Sequence, residues 1–181
     1  MMKLFLRSML FCIALCAFFS RVNAQEDFII TLKNDTILGS IKPGLLSQYI
    51  LESNGGENIS FSPETVNGYY LFKKKQKFIS NNIPKSEKRY FLRVLEAGKI
   101  NLYEHKVRTP EGVWIITWFA SKEGGGWVDI ITDRIFAKIK LRKDIFAELI
   151  GDNKGLNESF QEEKKYNFDI VRKYVVNYNN Q

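Results

Sequence analysis

The stretch Arg89 to His105, RYFLRVLEAGKINLYEH, decides the fold. Its apolar residues alternate on either side of a glycine, the pattern of a β-hairpin. A three-residue loop Glu96-Ala97-Gly98 sets Val94 opposite Ile100 and Leu92 opposite Leu102. Tyr90, Leu92, Val94, Ile100 and Leu102 then share one face. A two-residue loop would set Arg93 against Leu102 and split the apolar set, so alternation selects the register. Gly98 is expected in the left-handed position of a type I turn plus bulge, where a side chain is costly. The chain is therefore organised around a sheet.

Upstream, Asp27 to Lys42 (DFIITLKNDTILGSIK) reads as a second hairpin. An Asn34-Asp35 loop pairs Leu32 with Ile37, Ile30 with Gly39 and Phe28 with Ile41, and Asn and Asp tolerate the positive φ of a type I′ turn. Further strands are expected over Gln48 to Glu52, Asn58 to Ser62 and Val66 to Phe72, separated by Asn54-Gly55-Gly56 and Ser62-Pro63-Glu64. Asn81 to Lys88, with Pro84, reads as a loop. Downstream, Val113 to Ala120 (VWIITWFA) has the continuous apolar character of a strand covered on both faces. A loop over Lys122 to Gly126 returns as Trp127 to Thr132. Ile135 to Leu141 alternates like a strand and equally begins a helix.

Beyond Lys143 the pattern turns helical. Ile145, Phe146, Leu149 and Ile150 form one face, Leu156 and Phe160 mark a second helix, and Asn167 caps a third. Phe168, Val171, Val175 and Tyr178 make its apolar stripe. Strands first and helices last predict an α+β fold: antiparallel hairpins in a sheet or partly open barrel, then two to three C-terminal helices.

Three pieces of sequence carry a resemblance: Asp35-Thr36-Ile37-x-Gly39-x-Ile41, Gly98-Lys99-Ile100-x-Leu102-Tyr103, and Tyr178-Asn179. Together they resemble a group of secreted bacterial proteins of unknown function with a signal peptide, a β-rich body and a helical tail. The resemblance implies an exported α+β protein and assigns no activity.

The N-terminus points the same way. Lys3 and Arg7 precede the apolar run Met9 to Phe19, and Val22-Asn23-Ala24 has the look of a signal-peptidase site. The run is shorter than the ~20 residues of a spanning helix. Phe11 and Leu15 before the cysteines argue against lipidation. The expected layout is a signal peptide over 1–24 and one domain over 25–181, mainly β to 142 and helical from 143. Cleavage leaves 157 of the 181 residues, no transmembrane helix and neither Cys12 nor Cys16. A cysteine-free exported chain suits the periplasm or outer surface of a Gram-negative bacterium. Three of the 27 basic residues leave with the leader, so the mature charge falls from +7 to +4. A nucleic-acid partner is not implied.

Most catalytic chemistry lacks its residues. The mature chain has one histidine, His105, no Gly-x-Ser-x-Gly elbow, and glycine clusters without the lysine of a phosphate loop. One histidine and no cysteine cannot make a zinc centre, and no cofactor or metal is expected. Glu158, Glu162 and Glu163 beside Lys164 and Lys165 read as a solvated helix face. A carboxylate pair is the remaining enzymatic route; Asp129 in Trp127-Val128-Asp129-Ile130 is the one acid with an apolar setting, and an acid so placed more often faces solvent from an alternating strand.

Aromatics are in excess at 14%, with Trp114, Trp118 and Trp127 close in sequence. Trp114 and Trp118 face the same way on a strand. Exposed, they would form a platform for a sugar ring or an apolar partner; apolar neighbours on both faces favour core. Lys73, Lys74, Lys75 and Lys77 suit phosphate-rich lipid heads or acidic glycans, but more readily a solvated or edge strand kept from sticking by lysine. The expected function is a non-enzymatic binding or structural module of the cell envelope, contacting a protein, glycan or lipid surface. The alternative is a small carboxylate-dependent hydrolase of an envelope glycan.

Overall fold

The computed structural model describes residues 26–44, 48–123, 125–132 and 138–181. The expected leader, the cleavage site and residues 135–137 of the ambiguous segment lie outside them. The strands are β1 (Asp27–Thr31), β2 (Thr36–Pro43), β3 (Tyr49–Ser53), β4 (Asn58–Phe61), β5 (Val66–Leu71), β6 (Gln76–Asn82), β7 (Arg89–Glu96), β8 (Ile100–Arg108), β9 (Trp114–Lys122) and β10 (Trp127–Thr132). Three helices follow: α1 (Ile139–Leu149), α2 (Lys154–Gln161) and α3 (Phe168–Asn179).

All ten strands join one antiparallel sheet in the order β10-β9-β8-β7-β6-β5-β1-β2-β3-β4. The order breaks sequence once, where the chain leaves β4 at one edge and returns to lay β5 against β1. The sheet is not closed into a barrel, and the fold is α+β as its pattern of elements predicts.

Both hairpins exist, but neither has the register that alternation selects. In the first, Ile29 pairs with Ile37 and Phe28 with Leu38. Asn34 takes positive φ, 67°, as the third residue of a loop Leu32-Lys33-Asn34 rather than the first of two. Thr31 N–H closes that loop on Asp35 O at 2.9 Å. Phe28, Ile29 and Ile30 are all apolar, so alternation alone has no preference in this central strand. A carboxylate settles the matter. Asp27 accepts from Phe72 N at 2.7 Å and from Ile41 N at 3.1 Å, tying β1 to both flanking strands. Leu32, expected inward, is half exposed.

In the second hairpin Val94 pairs with Tyr103 and Arg93 with Glu104; a bulge at Leu95 brings Glu96 opposite Leu102. Leu92 and Leu102 are both fully buried, but not as a pair. Gly98 is not among the positive-φ residues. Its place is fixed instead by Asn179, whose Cγ lies 2.6 Å from where a Cβ would be. Asn179 donates to Ile100 O and accepts from Ile100 N, each at 2.8 Å, as a neighbouring strand would. The turn is thus closed by the last residue of α3, 79 positions away.

A further difference is β6. The lysine run suggests a solvated or edge strand, yet Gln76–Asn82 is an interior strand between β5 and β7. Phe78 stacks on Tyr69 at 4.5 Å. Lys73 to Lys75 form the β5–β6 turn, with Lys75 at φ 52°.

Two hydrophobic cores line the sheet. One is built by β1 to β7 curling over their own face: Ile29, Leu51, Phe61, Val66 and Tyr69, with Tyr49 and Phe91 closing an aromatic cluster. Burial pushes the Tyr69 hydroxyl well above its ordinary pKa. The other lies between β8 to β10 and the helices: Ile100, Leu102, Ala120 and Ile130 against Phe146, Phe160, Val171 and Val175. Val171, Val175 and Tyr178 of the expected α3 stripe are buried, and Asn167 caps that helix through Ile170 N at 3.0 Å.

Candidate binding cleft

The β7–β8 ladder is short. Its pairs run from Glu96↔Leu102 to Arg93↔Glu104, and a 3.0 Å ion pair between Arg93 and Glu104 marks its end. Beyond that point β7 remains paired to β6 through Arg89, and β8 to β9 through Arg108. The wedge between them holds two adjoining cavities of about 570 and 480 Å³, which share Tyr90, His105 and Val107 as a common wall.

The larger cavity reaches under the β4–β5 turn, where Ser62, Pro63 and Glu64 face Arg89 and Phe91. Arg89 is clamped there: its Nε donates to Ser80 Oγ at 3.0 Å and its Nη2 to Ser80 O at 2.9 Å. Ser80 in turn donates to Pro63 O. The smaller cavity lies on the sheet face away from the helices. Pairing puts His105 opposite Thr117 and Phe119 opposite Asp129, so alternation sends all four to that face, while Trp118 and Ala120 point to the helical core. Pro84 and Lys85 of the β6–β7 loop cover it.

Its polar wall is an ion pair. Arg142 of α1 donates to Asp129 Oδ2 at 2.8 Å around the β10 edge. Among the described residues Asp129 Oδ1 and Arg142 Nη1 are buried with no hydrogen-bond partner. Beside them Thr117 Oγ1 and Thr132 Oγ1 are 3.1 Å apart, and the His105 ring meets Tyr90 edge-on at 4.7 Å. Tyr166 holds this corner: its hydroxyl donates to Ile130 O at 2.5 Å with Arg142 O sharing the same proton at 3.0 Å, and burial pushes its pKa up.

The residues singled out by sequence do not assemble into one site. Trp114 and Trp118 share a side of β9 as their spacing predicts, but Trp118 stacks on Phe168 at 4.8 Å and belongs to the helical core. Trp114 is half exposed, with Lys106 Nζ over its ring at 4.7 Å. Trp127 points to the opposite face and stacks on Tyr103 at 4.3 Å. Lys73, Lys74, Lys75 and Lys77 are exposed at the other end of the strands from the cleft, with Lys73 and Lys74 at the rim of a separate cavity beside Glu26 and Asp27. Sequence reasoning named Asp129 and His105 singly. It had no signal for Arg142 or Tyr90, whose roles arise from a helix folding back along β10 and from the parting of two strands. Among the described residues no cluster of metal-ligating side chains occurs, and no helix is long and apolar enough to cross a membrane. No protein-family model matches the chain, and neither a curated protein nor a solved structure does.

Proposed function

We propose that the protein is an exported binding module of a bacterial cell envelope, and that its ligand seat is the β7–β8 cleft. One observation carries this reading: the smaller cavity sets the Tyr90 and Phe119 rings beside the Asp129–Arg142 ion pair and two threonine hydroxyls. Apolar walls with a few convergent polar groups are the lining of a small-ligand site. Sugar hydroxyls can donate to the Asp129 carboxylate, whose side chain is 37% exposed. Tyr90 and Phe119 supply apolar walls for the ring, and Thr117 and Thr132 further hydroxyls. An envelope glycan is the ligand class that fits.

The hydrolase alternative draws less support. Glu64 and Asp129 are the carboxylates of the joined cleft, and each is engaged, Glu64 by Ser62 Oγ at 2.8 Å and Asp129 by Arg142. The test is titration with disaccharide fragments of peptidoglycan, read by calorimetry and by tryptophan fluorescence. Trp127 is the reporter, two residues from Asp129. Binding should weaken at least tenfold in Asp129→Asn and, with the ion pair intact, in Tyr90→Ala. Turnover of the fragments that vanishes on changing Glu64 or Asp129 would replace this reading with the hydrolase. Folded protein that ignores the fragments would end the glycan assignment.

A further inference from the structure

Four of the large hydrophobic side chains exposed among the described residues gather at one end of the molecule. Val113 and Trp114, 60% and 51% exposed, stand at the β8–β9 turn; Ile139 and Leu141, 60% and 51% exposed, stand in the first turn of α1. Pairing sets the geometry. Arg108↔Trp114 closes one hairpin and Thr132↔Thr117 ends β10 at the same end of the sheet. Helix α1 runs back along β10: Tyr166 links Arg142 O to Ile130 O, and Leu149 O lies 3.4 Å from Lys122 Nζ at the far end of β9. Its start therefore lies at the same end of the sheet as the β8–β9 turn.

Cations surround these apolar groups. Lys106 Nζ and Arg108 Cζ lie 4.7 and 5.9 Å from the Trp114 ring centroid. Lys138 and Lys140 flank Ile139, and Glu111 is the one acid within residues 106–114. The start of α1 works against its own stability. It has no side-chain cap and no acid in its first turn, while Lys140, Arg142 and Lys143 sit where the helix dipole disfavours positive charge. Ile139 continues the face that buries Phe146, seven residues on, but lies past the core, and Leu141 points the opposite way.

We infer that this end is a docking surface for a membrane carrying anionic, phosphate-headed lipids. A tryptophan at a turn, half buried among cationic stems, is suited to the headgroup boundary, where its ring is solvated by acyl chains and its N–H by water. Exposed Val113, Ile139 and Leu141 add apolar contact. The lysines and Arg108 supply the complementary charge and hold their heads in the phosphate layer while their stems lie along apolar surface. A soluble polyanion would use the charge and gain nothing from the four hydrophobic side chains. The proposal is independent of the glycan reading, because, of these residues, Lys106 and Arg142 line the cleft and neither is changed in the test.

The experiment is co-sedimentation of the purified protein with phosphatidylcholine vesicles, with and without phosphatidylglycerol. Binding should require phosphatidylglycerol and weaken as salt is raised. The double change Val113→Ser with Trp114→Ser should reduce it at least tenfold with every cation retained, and Lys138→Ala with Lys140→Ala should do so with the apolar groups retained. The blue shift of tryptophan emission on anionic vesicles should disappear in Trp114→Phe. Circular dichroism of each variant confirms folding, and cleft-ligand affinity should stay unchanged. Indifference to the phosphatidylglycerol content, or equal capture of soluble heparin by wild type and the serine variant with no vesicle binding, overturns the proposal.

Discussion

Asn179→Ala should be among the most damaging single changes at the molecule's periphery. Ile100 is fully buried, and its N–H and C=O both face Asn179, while the β9 side of the ladder is served by Lys99 O and Glu123 N. Removing the amide strands one donor and one acceptor. Each costs about 1–3 kcal/mol when buried without a partner, and some entry of water brings the total to about 2–4 kcal/mol. At about 2–4 °C per kcal/mol for a chain of this size, the melting temperature should fall by roughly 5–15 °C. Gly98→Ala should do comparable damage by a different route, because its Cβ would lie 2.6 Å from Asn179 Cγ and push the amide off Ile100. The two changes should therefore not add. In a double-mutant cycle read by urea unfolding, the pair should cost little more than Asn179→Ala alone, a coupling of about 2 kcal/mol. Additivity within about 0.5 kcal/mol, or a single-variant cost below about 1 kcal/mol, would refute the reasoning.

Other expectations follow from the helices. Asn167→Ala removes the α3 cap and should cost about 1 kcal/mol by the same assay. Deleting Asn167 to Gln181 removes the buried Val171, Tyr174, Val175 and Tyr178 together with Asn179, so the product should unfold or aggregate; a soluble truncation with native sheet signature would contradict this. Stability should fall in acid. Hydrogen bonds from Lys122 and Tyr178 hold the Asp152 carboxyl below its ordinary 3.8, and Lys173 holds Glu163 below 4.5. Groups lowered by folding stabilise above their unfolded pKa and lose that contribution as pH falls through the folded one. Asp152→Asn should therefore flatten the acid limb of the stability–pH curve below about pH 4.

The order of strands and helices was legible because periodicity is local. Trp127 to Thr132, the α3 stripe and the Asn167 cap need only neighbours to be read. Register was not legible, and the reason is specific. In β1 and β7 apolar residues occupy both faces, so alternation cannot choose; Asp27 and Asn179 choose, through partners on other strands and a distant helix. The pieces Gly98-Lys99-Ile100 and Tyr178-Asn179 stand out separately in the sequence, and the structure shows them to be the two halves of one contact. The cleft was hidden for a similar reason. It is made by two strands ceasing to pair, an event with no signature in either strand.

That short β7–β8 ladder has a consequence for how the molecule opens. The two cores divide largely along it, strands β1 to β7 on the one hand and β8 to β10 with the helices on the other, with Leu95 of β7 reaching across to the helical core. Local unfolding follows contiguous cooperative units, so amide exchange should sort into two groups with distinct opening free energies, divided between Leu95 and Ile100 rather than graded from edge to centre. The amides of Val94 and Tyr103, at the seam, should exchange with whichever group is the weaker.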